Sequence, residues 1–413
     1  MEKHDVVAHC QYFVKRKNRY CKMTIREGQE FCGEHKILNE DEGNEGLKRI
    51  VCPNDNKHTV YAHKLNQHLK ICNSRKRVEP PYIVANINRG ELDERTEHKT
   101  LSDLTPQELA CLTKKVSLVY DKCVPPIRKE VLDHEILREE LKNPEYGPKK
   151  LKHLVQNASL LRHAEIAGFF DDGTVFIEFG AGRGQVSYYV AQKMKDSQNC
   201  AMLLIDRANQ KHKFDNKMKD FPIIEKQRIR ADIADLCLSK INILEAAKRI
   251  VTVSKHLCGS ATDYTLRCMI EHALPTYTGI LISFCCHHRC DWGSYTGKKF
   301  MIEQGFTPEE FDVLCGLTSW AICGFGNSQD CSESPSTADG IKKLPTRWQN
   351  PCPSHITDNE KKLIGRKAKL IMNVGRQSYL EERGFTCELL EYVNETTSPE
   401  NICILAKKEN SRN

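Results

Sequence analysis

The sequence predicts an α/β protein, a parallel sheet with helices on both faces, preceded by two small metal-binding modules. Three observations carry this reading. Short β-rich runs alternate with helical ones beyond residue 150, a glycine-rich turn follows one of those runs, and cysteine and histidine cluster at ligand spacings within the first 75 residues.

The alternation is clearest in TVFIEF (174–179), AMLLID (201–206), IVTVS (250–254) and GILISF (279–284), each separated from the next by helix-length sequence. Such alternation is the pattern of an open parallel sheet. Helical patterns cover 151–170 and 359–382, and two further candidate strands, 385–391 and 402–407, finish the sheet. Upstream, Pro126 to about Lys142 is a charged stretch with Val131, Leu132, Ile136, Leu137 and Leu141 apolar, and it reads as a packing helix. The expected organisation is a first module at 1–38, a second at 48–75, a linker at 76–125, and a helical lead-in with the main domain at 126–413. An acidic spacer, NEDEGNEG (39–46), separates the modules, and a Ser/Pro/Asp-rich segment (327–358) reads as a flexible insertion.

Composition narrows the setting. The chain of 413 residues carries 62 Lys and Arg against 55 Asp and Glu, for a net charge of +7. A mildly basic surface suits a polyanionic partner without demanding one. No run approaches the ~20 apolar residues that cross a bilayer, so no membrane association is expected, and no obligate protein partner is evident. The first residues have neither the apolar core of a secretory signal nor an Arg/Ser-rich transit composition, which leaves nucleus and/or cytoplasm as the expected location. In such a reducing compartment the 20 cysteines divide into metal ligands near the N-terminus and buried free thiols elsewhere.

Cys10, Cys21, Cys32 and His35 read C-x10-C-x10-C-x2-H, the three-thiolate, one-imidazole set of a structural tetrahedral zinc site. A module this short buries too little core to fold alone, so the metal would supply its stability. Lys15, Arg16, Lys17 and Arg19, interleaved with Tyr12, Phe13 and Tyr20, suit RNA phosphates and unstacked bases. The alternative is that these aromatics are the module's own core. Cys52, His58, His68 and Cys72 form the second set, C-x5-H-x9-H-x3-C, with His63 as a spare histidine. His68 and Cys72 stand at i, i+4, where a helix presents both on one face. Two structural zinc ions are expected.

In TVFIEFGAGRGQVSYYV a buried strand meets Glu178, and Gly180, Gly182 and Gly184 turn the chain into an amphipathic helix. Glycines let backbone approach a ligand, and the helix start offers unpaired N–H groups. A dinucleotide fingerprint would place its third glycine three positions after the second; here the interval is two. Two other segments, SKHLCGSATD (254–263) and SFCCHHRCDWGSY (283–295), directly follow strands, where open α/β sheets bind their ligands.

The E-x-G-x-G-x-G pattern resembles motif I of the Rossmann-like class I methyltransferases, in which the glycine loop passes the amino-acid end of S-adenosylmethionine. That resemblance implies that Glu178, Gly180, Gly182 and Gly184 bind the cofactor, that Asp206 accepts hydrogen bonds from the ribose, and that Asp232 contacts the adenine edge. The second module resembles the CHHC zinc finger of a minor-spliceosome protein and of certain tRNA methyltransferases. With EFGAGRG, SKHLCG, CCHHRCDW, both fingers and the late Gly375, Arg376, Tyr379, Leu380 element together, nearly the whole chain resembles the eukaryotic tRNA 2′-O-methyltransferases that modify position 4 of the acceptor stem. The resemblance implies methyl transfer from S-adenosylmethionine to the ribose 2′-hydroxyl of cytidine or adenosine in tRNA.

Such a displacement needs the 2′-oxygen held in line and its proton removed. Lys255, His256, His287 and His288 are the candidates for that work, and the choice among them stays open; Arg289 is suited to steadying a phosphate. Cys285, Cys286, His287, His288 and Cys290 offer an alternative metal set. Adjacent residues on an extended chain point apart, so buried structural roles are expected for Cys258, Cys285 and Cys286. A competing reading makes the chain an RNA-processing adaptor with an inactive Rossmann domain, but the intact glycine loop with Glu178 and Asp206 speaks against it.

Overall fold

The computed structural model describes residues 8–14, 18–25, 27–32, 35, 49–72, 74–75, 79–210, 213–221, 225–271, 276–322 and 356–408. The acidic spacer, the basic residues Lys15, Arg16 and Lys17, and all of the expected insertion except 356–358 lie outside them. The chain divides into two compact units, Met1–Pro80 and Pro81–Asn413.

Among its described residues the first unit holds two hairpins. Strands β1 (Phe13–Val14) and β2 (Arg19–Tyr20) pair antiparallel, as do β3 (Arg49–Cys52) and β4 (Asp55–Tyr61). Helix α1 (Leu65–Ile71) follows β4 and ends at Cys72, whose N–H donates to the His68 carbonyl at 2.7 Å. The i, i+4 pair thus shares one helical face.

The second unit begins where a linker is expected, and that expectation is corrected. Helix α2 (Pro106–Cys123) occupies 18 residues of it, opened by a Thr105/Glu108 capping box and buried through Leu109, Leu112, Val116 and Val119. Upstream of α2 the chain is irregular yet pinned. Asn88 is fully buried, its amide donating to the Ile233 and Leu236 carbonyls at 2.6 and 2.7 Å, and Val84 N–H donates to Asp235 at 2.7 Å. Hydrogen bonds to distant backbone, which leave no apolar period in the sequence, do this anchoring. The single helix expected over 126–142 is also corrected. Arg128–Lys129 form an edge strand, β5, and only Glu135–Leu141 is helical (α3), with His134 as its N-cap.

Helix α4 (Pro148–Ile166) leads into β6 (Thr174–Phe179), α5 (Gln185–Lys193), β7 (Ala201–Asp206), β8 (Glu225–Arg230) and β9 (Arg249–Cys258). Then come α6 (Ser260–Glu271), β10 (Tyr277–Cys285), α7 (Lys298–Glu303), α8 (Pro308–Thr318), α9 (Asp358–Glu381), β11 (Phe385–Glu391) and β12 (Ile402–Lys408). One eight-stranded sheet results, in the order β5-β11-β12-β10-β9-β6-β7-β8. It is mixed, not wholly parallel: β12 runs antiparallel to both β10 and β11. A short connection joins β11 to β12, and a parallel pairing would have needed a crossover of a dozen residues or more.

Both faces of the sheet are covered, which is why its strands read as continuous apolar runs. Val175, Ile177 and Phe179 of β6 and Ile280, Ile282 and Phe284 of β10 face a core shared with α2, α6, α8 and α9. Phe176 and Leu281 face the other core, built with α3, α4 and α5.

Helix α9 is tied to the strand ends by a buried ion pair. Arg376, 1% exposed, donates to both Asp263 oxygens, Nη2 to Oδ2 at 2.7 Å and Nε to Oδ1 at 3.1 Å. Thr296 donates its N–H and hydroxyl to Asp263 Oδ1, and the Tyr295 hydroxyl donates to the Met372 carbonyl at 2.7 Å. Gly375 lets α9 come this close, because a Cβ there would run into the Tyr295 hydroxyl. Arg376→Leu would strand a buried carboxylate, and removing one partner of such a pair costs about 3–5 kcal/mol. Denaturant melts should show a loss of that size, with much of it recovered when Asp263→Leu is added.

Candidate active site

The turn after β6 is built from within. Gly180, Gly182 and Gly184 all take positive φ, at 61°, 50° and 77°, a region L side chains enter only at a cost. Gly180 and Gly184 are also closely packed: a Cβ would meet Leu257 at 3.0 Å in the first case, and Arg228 and Leu204 at 2.9 Å in the second. Gly182 differs, since only the Gly180 carbonyl, 4.0 Å away, lies near its Cβ position. Gly180 and Gly184 therefore shape the turn, and Gly182 presents open backbone.

Glu178 points inward. Its Oε2 accepts from the Ser187 N–H at 2.9 Å and the Ser187 hydroxyl at 2.5 Å, capping the first turn of α5. Burial pushes its carboxyl up to about 7, against the opposing pull of the Ser187 hydrogen bonds. Asp206 sits across the turn: Oδ2 accepts from Gly182 N–H and Oδ1 from Ala208 N–H, both at 2.7 Å. Each carboxylate oxygen keeps acceptor capacity for a ligand hydroxyl. Asp232, half-exposed beyond β8, caps a short 3-10 turn through the Ala234 N–H at 3.1 Å.

Two groups here escaped sequence reasoning. Arg228 on β8 chelates Asp215 at 2.6 and 2.7 Å and donates to the Gly182 carbonyl at 3.0 Å, clamping the turn from below. Asn157 on α4, 2% exposed, accepts from Lys255 Nζ at 2.6 Å through Oδ1. Its Nδ2 is buried with no hydrogen-bond partner among the described residues. Neither carried a sequence signal, for both act through contacts made across the sheet.

The four catalytic candidates separate. Lys255 and His256 lie together near the end of β9, partly buried. His256 holds φ at 64°, meets His153 edge-on with ring centroids 6.2 Å apart, and is pulled down to about 3 by burial, with Lys255 adding to the effect. His287 turns into the core: it is 1% exposed, and its Nε2 pairs with Asn373 Oδ1 at 2.7 Å. Burial, with Arg376 nearby, keeps it well below the ordinary histidine range. His288 is half-buried and also shifted downward by burial.

The alternative five-residue metal set does not assemble. His287 is committed to Asn373, and Cys290 accepts from Arg376 Nη2 at 3.1 Å. The premise that adjacent cysteines diverge also fails, because Cys286 is left-handed (φ 51°, ψ 42°) rather than extended. Cys258, Cys285 and Cys286 converge instead.

In the N-terminal unit all eight expected ligands gather into two clusters, Cys10, Cys21, Cys32, His35 and Cys52, His58, His68, Cys72. Cys21 and Cys32 sulfurs lie 4.0 Å apart, Cys52 and Cys72 sulfurs 3.7 Å, and the His58 and His68 Nε2 atoms 3.1 Å. His63 is exposed and outside the cluster. Tyr12 stacks on His35 at 3.9 Å, yet Tyr12, Phe13 and Tyr20 remain 46%, 41% and 64% exposed. They are surface rather than the core of the module.

The buried Glu178 makes stability depend on pH. A carboxyl raised from 4.5 to about 7 on folding favours the folded state below the lower value and loses that contribution as pH rises through the upper one. Without ligand, wild type should therefore lose a few kcal/mol between pH 5 and 8 relative to Glu178→Gln, at about 1.4 kcal/mol per pH unit of separation. Paired denaturant titrations at the two pH values read this difference directly, and parallel curves for the two proteins would contradict it.

Comparison with known proteins places this arrangement. Residues 155–407 match the family model Methyltransferase TRM13, residues 8–36 the CCCH zinc finger in TRM13 protein, and residues 49–73 the U11-48K-like CHHC zinc finger. The chain is similar to the tRNA:m(4)X modification enzyme TRM13 homolog of Mus musculus, 33% identical, with 96% of this chain and 94% of that protein covered. It is similar also to the tRNA:m(4)X modification enzyme TRM13 of Schizosaccharomyces pombe, 34% identical, with 90% and 98% covered. The Saccharomyces cerevisiae protein of that name is 31% identical, with 97% and 96% covered. With its main domain and both finger modules matched by family models and a relative 33% identical over 96% of its length, the chain belongs to the TRM13 methyltransferase family.

Proposed function

We propose that this methyltransferase transfers a methyl group from S-adenosylmethionine to the ribose 2′-hydroxyl of cytidine or adenosine at position 4 of the tRNA acceptor stem. The observation that carries the proposal is the hydrogen bond between Gly182 and Asp206 after the neighbouring strands β6 and β7, with Lys255 near the carboxyl end of the adjacent strand β9. Ligands of open α/β sheets bind there. The relatives' names give tRNA as their substrate, and the nucleus or cytoplasm, where free thiols stay reduced, is the proposed setting.

The residues present fit the cofactor. Open backbone at Gly182 and the spare acceptor capacity of Asp206 suit its amino-acid and ribose parts, and the buried Asn157 Nδ2 is an amide donor awaiting an acceptor. Asp232, just beyond β8, is assigned to the adenine edge. Glu178 works from behind, fixing the turn through Ser187. When bound, S-adenosylmethionine supplies an electrophilic methyl group.

Lys255 is assigned the proton of the 2′-hydroxyl. Its amine donates to Asn157 Oδ1 near the end of β9, whereas His287 is enclosed beside Asn373 and His256 is held in a strained backbone conformation. His288 and the exposed Arg289 are left to contact phosphate. The N-terminal clusters are read as two structural zinc ions, and the exposed Tyr12, Phe13 and Tyr20 as stacking surfaces for RNA bases.

Recombinant protein, S-adenosylmethionine and unmodified tRNA should yield ribose methylation mapped to position 4; methylation on a base instead would overturn the assignment. Lys255→Met should lower kcat by about 10²–10⁴, the range of general base catalysis, with little change in cofactor affinity. Lys255→Arg should fail to rescue it, since guanidinium stays charged. In the fingers, Cys52→Ala should weaken tRNA binding at least tenfold while calorimetry finds cofactor binding intact. Equal loss of both would show that the finger is a structural part of the catalytic domain.

A further inference from the structure

One group of nucleophilic side chains takes no part in the reaction above. Cys258 ends β9 and Cys285 ends β10, and the two are direct partners in the parallel pairing of these strands. Their sulfurs stand 3.3 Å apart, and the ligand atoms of Cys258, Cys285 and Cys286 all lie within 4.8 Å of one another. The left-handed backbone of Cys286 makes this possible, at a cost of about 1–3 kcal/mol for a non-glycine residue. A hydrogen bond from the Gly259 N–H to the Cys285 carbonyl at 3.3 Å links the loops after β9 and β10. The Arg289 backbone packs where a Gly259 Cβ would stand. The three thiols are therefore brought together by a fixed junction, not by flexible side chains.

The finger clusters give a yardstick within the same molecule. Their sulfur pairs, Cys21–Cys32 and Cys52–Cys72, lie 4.0 and 3.7 Å apart. Two thiolates bonded tetrahedrally at about 2.3 Å are separated by about 3.8 Å. The Cys258–Cys285 distance of 3.3 Å is shorter than either finger pair, so binding an ion would part these two sulfurs by about half an ångström.

We propose that Cys258, Cys285 and Cys286 form a third metal site, a three-thiolate cup that binds one zinc ion and leaves the fourth coordination position open. Soft sulfur donors select zinc over magnesium or calcium. Each thiol gives up its proton on binding. His287 and Cys290 stay outside the cup, held by Asn373 and Arg376. Cys285 is buried and Cys258 exposed, so the open position is reached from the strand-end side, where a water or a substrate oxygen would complete the tetrahedron. Three protein ligands with one open position is the arrangement that structural zinc sites avoid and ligand-accepting ones keep.

Metal content decides it. Native mass spectrometry and elemental analysis of the full chain, purified under reducing conditions with zinc present, should show one zinc more per chain in wild type than in Cys258→Ser/Cys286→Ser. Finger ions contribute equally to both proteins, so this difference does not depend on the finger reading or on the identity of the RNA. Equal zinc in the two proteins would overturn the site, as would a Cys258–Cys285 disulfide in peptide maps of the reduced-purified chain. Should the double variant misfold, wild type alone suffices: N-ethylmaleimide should modify Cys258 at least tenfold faster after chelation than before. Cys258 is exposed, so an unchanged rate would mean that no metal guards it.

Discussion

The buried pair between Asp263 and Arg376 sets the carboxyl edge of the catalytic sheet. Asp263 belongs to the segment after β9, Thr296 to the segment after β10, and Arg376 to α9, and all three meet in one hydrogen-bonded junction. Two charges removed from water are tolerated only when their hydrogen-bonding capacity is met, and here the carboxylate receives four donors. Arg376 also lies over the Phe284 and Tyr295 rings at 5.4 and 5.6 Å. Lys255, His256, Cys258, Cys285 and Cys286 all lie on the strand ends that this junction holds in register.

The neighbouring edge follows the same economy of contact. Glu178, Asp206 and Arg228 grip the glycine turn from three sides, through Ser187, Gly182 N–H and the Gly182 carbonyl. Each polar group that shapes the turn is thereby satisfied by backbone or a buried partner, while Gly182 keeps its outer side open. Preorganisation of this kind spares a bound ligand the cost of ordering the loop. Glu178 is the member under tension, since the same burial that fixes its geometry disfavours its charge.

Much of the site was legible because local chemistry wrote it. Cysteine and histidine at ligand intervals, glycines forced to positive φ, and acidic residues at strand exits are demands of short segments of backbone, and they survive in linear order. The groups that escaped notice are of another kind. Asn157 reaches Lys255 across 98 residues, and Asn88 reaches Leu236 across 148. Each is one polar residue in a segment whose neighbours give no reason to single it out. For the same cause the stretch before α2 resembled a linker, its anchoring being done by hydrogen bonds; α2 itself carries an apolar stripe, Leu109, Leu112, Val116 and Val119, that the linker reading passed over.

By itself the sequence determined the alternating α/β architecture, both ligand sets of the N-terminal unit and the glycine turn, because each depends on periodicity or spacing within a few tens of residues. Only the tertiary structure decided that β12 enters the sheet antiparallel, that His287 faces the core while Lys255 donates to Asn157, and that Cys286 turns back toward Cys258 and Cys285. Those outcomes depend on which strand ends and helices become neighbours, and on a single left-handed residue. Long-range packing selects them among conformations that the local sequence leaves nearly equal in energy.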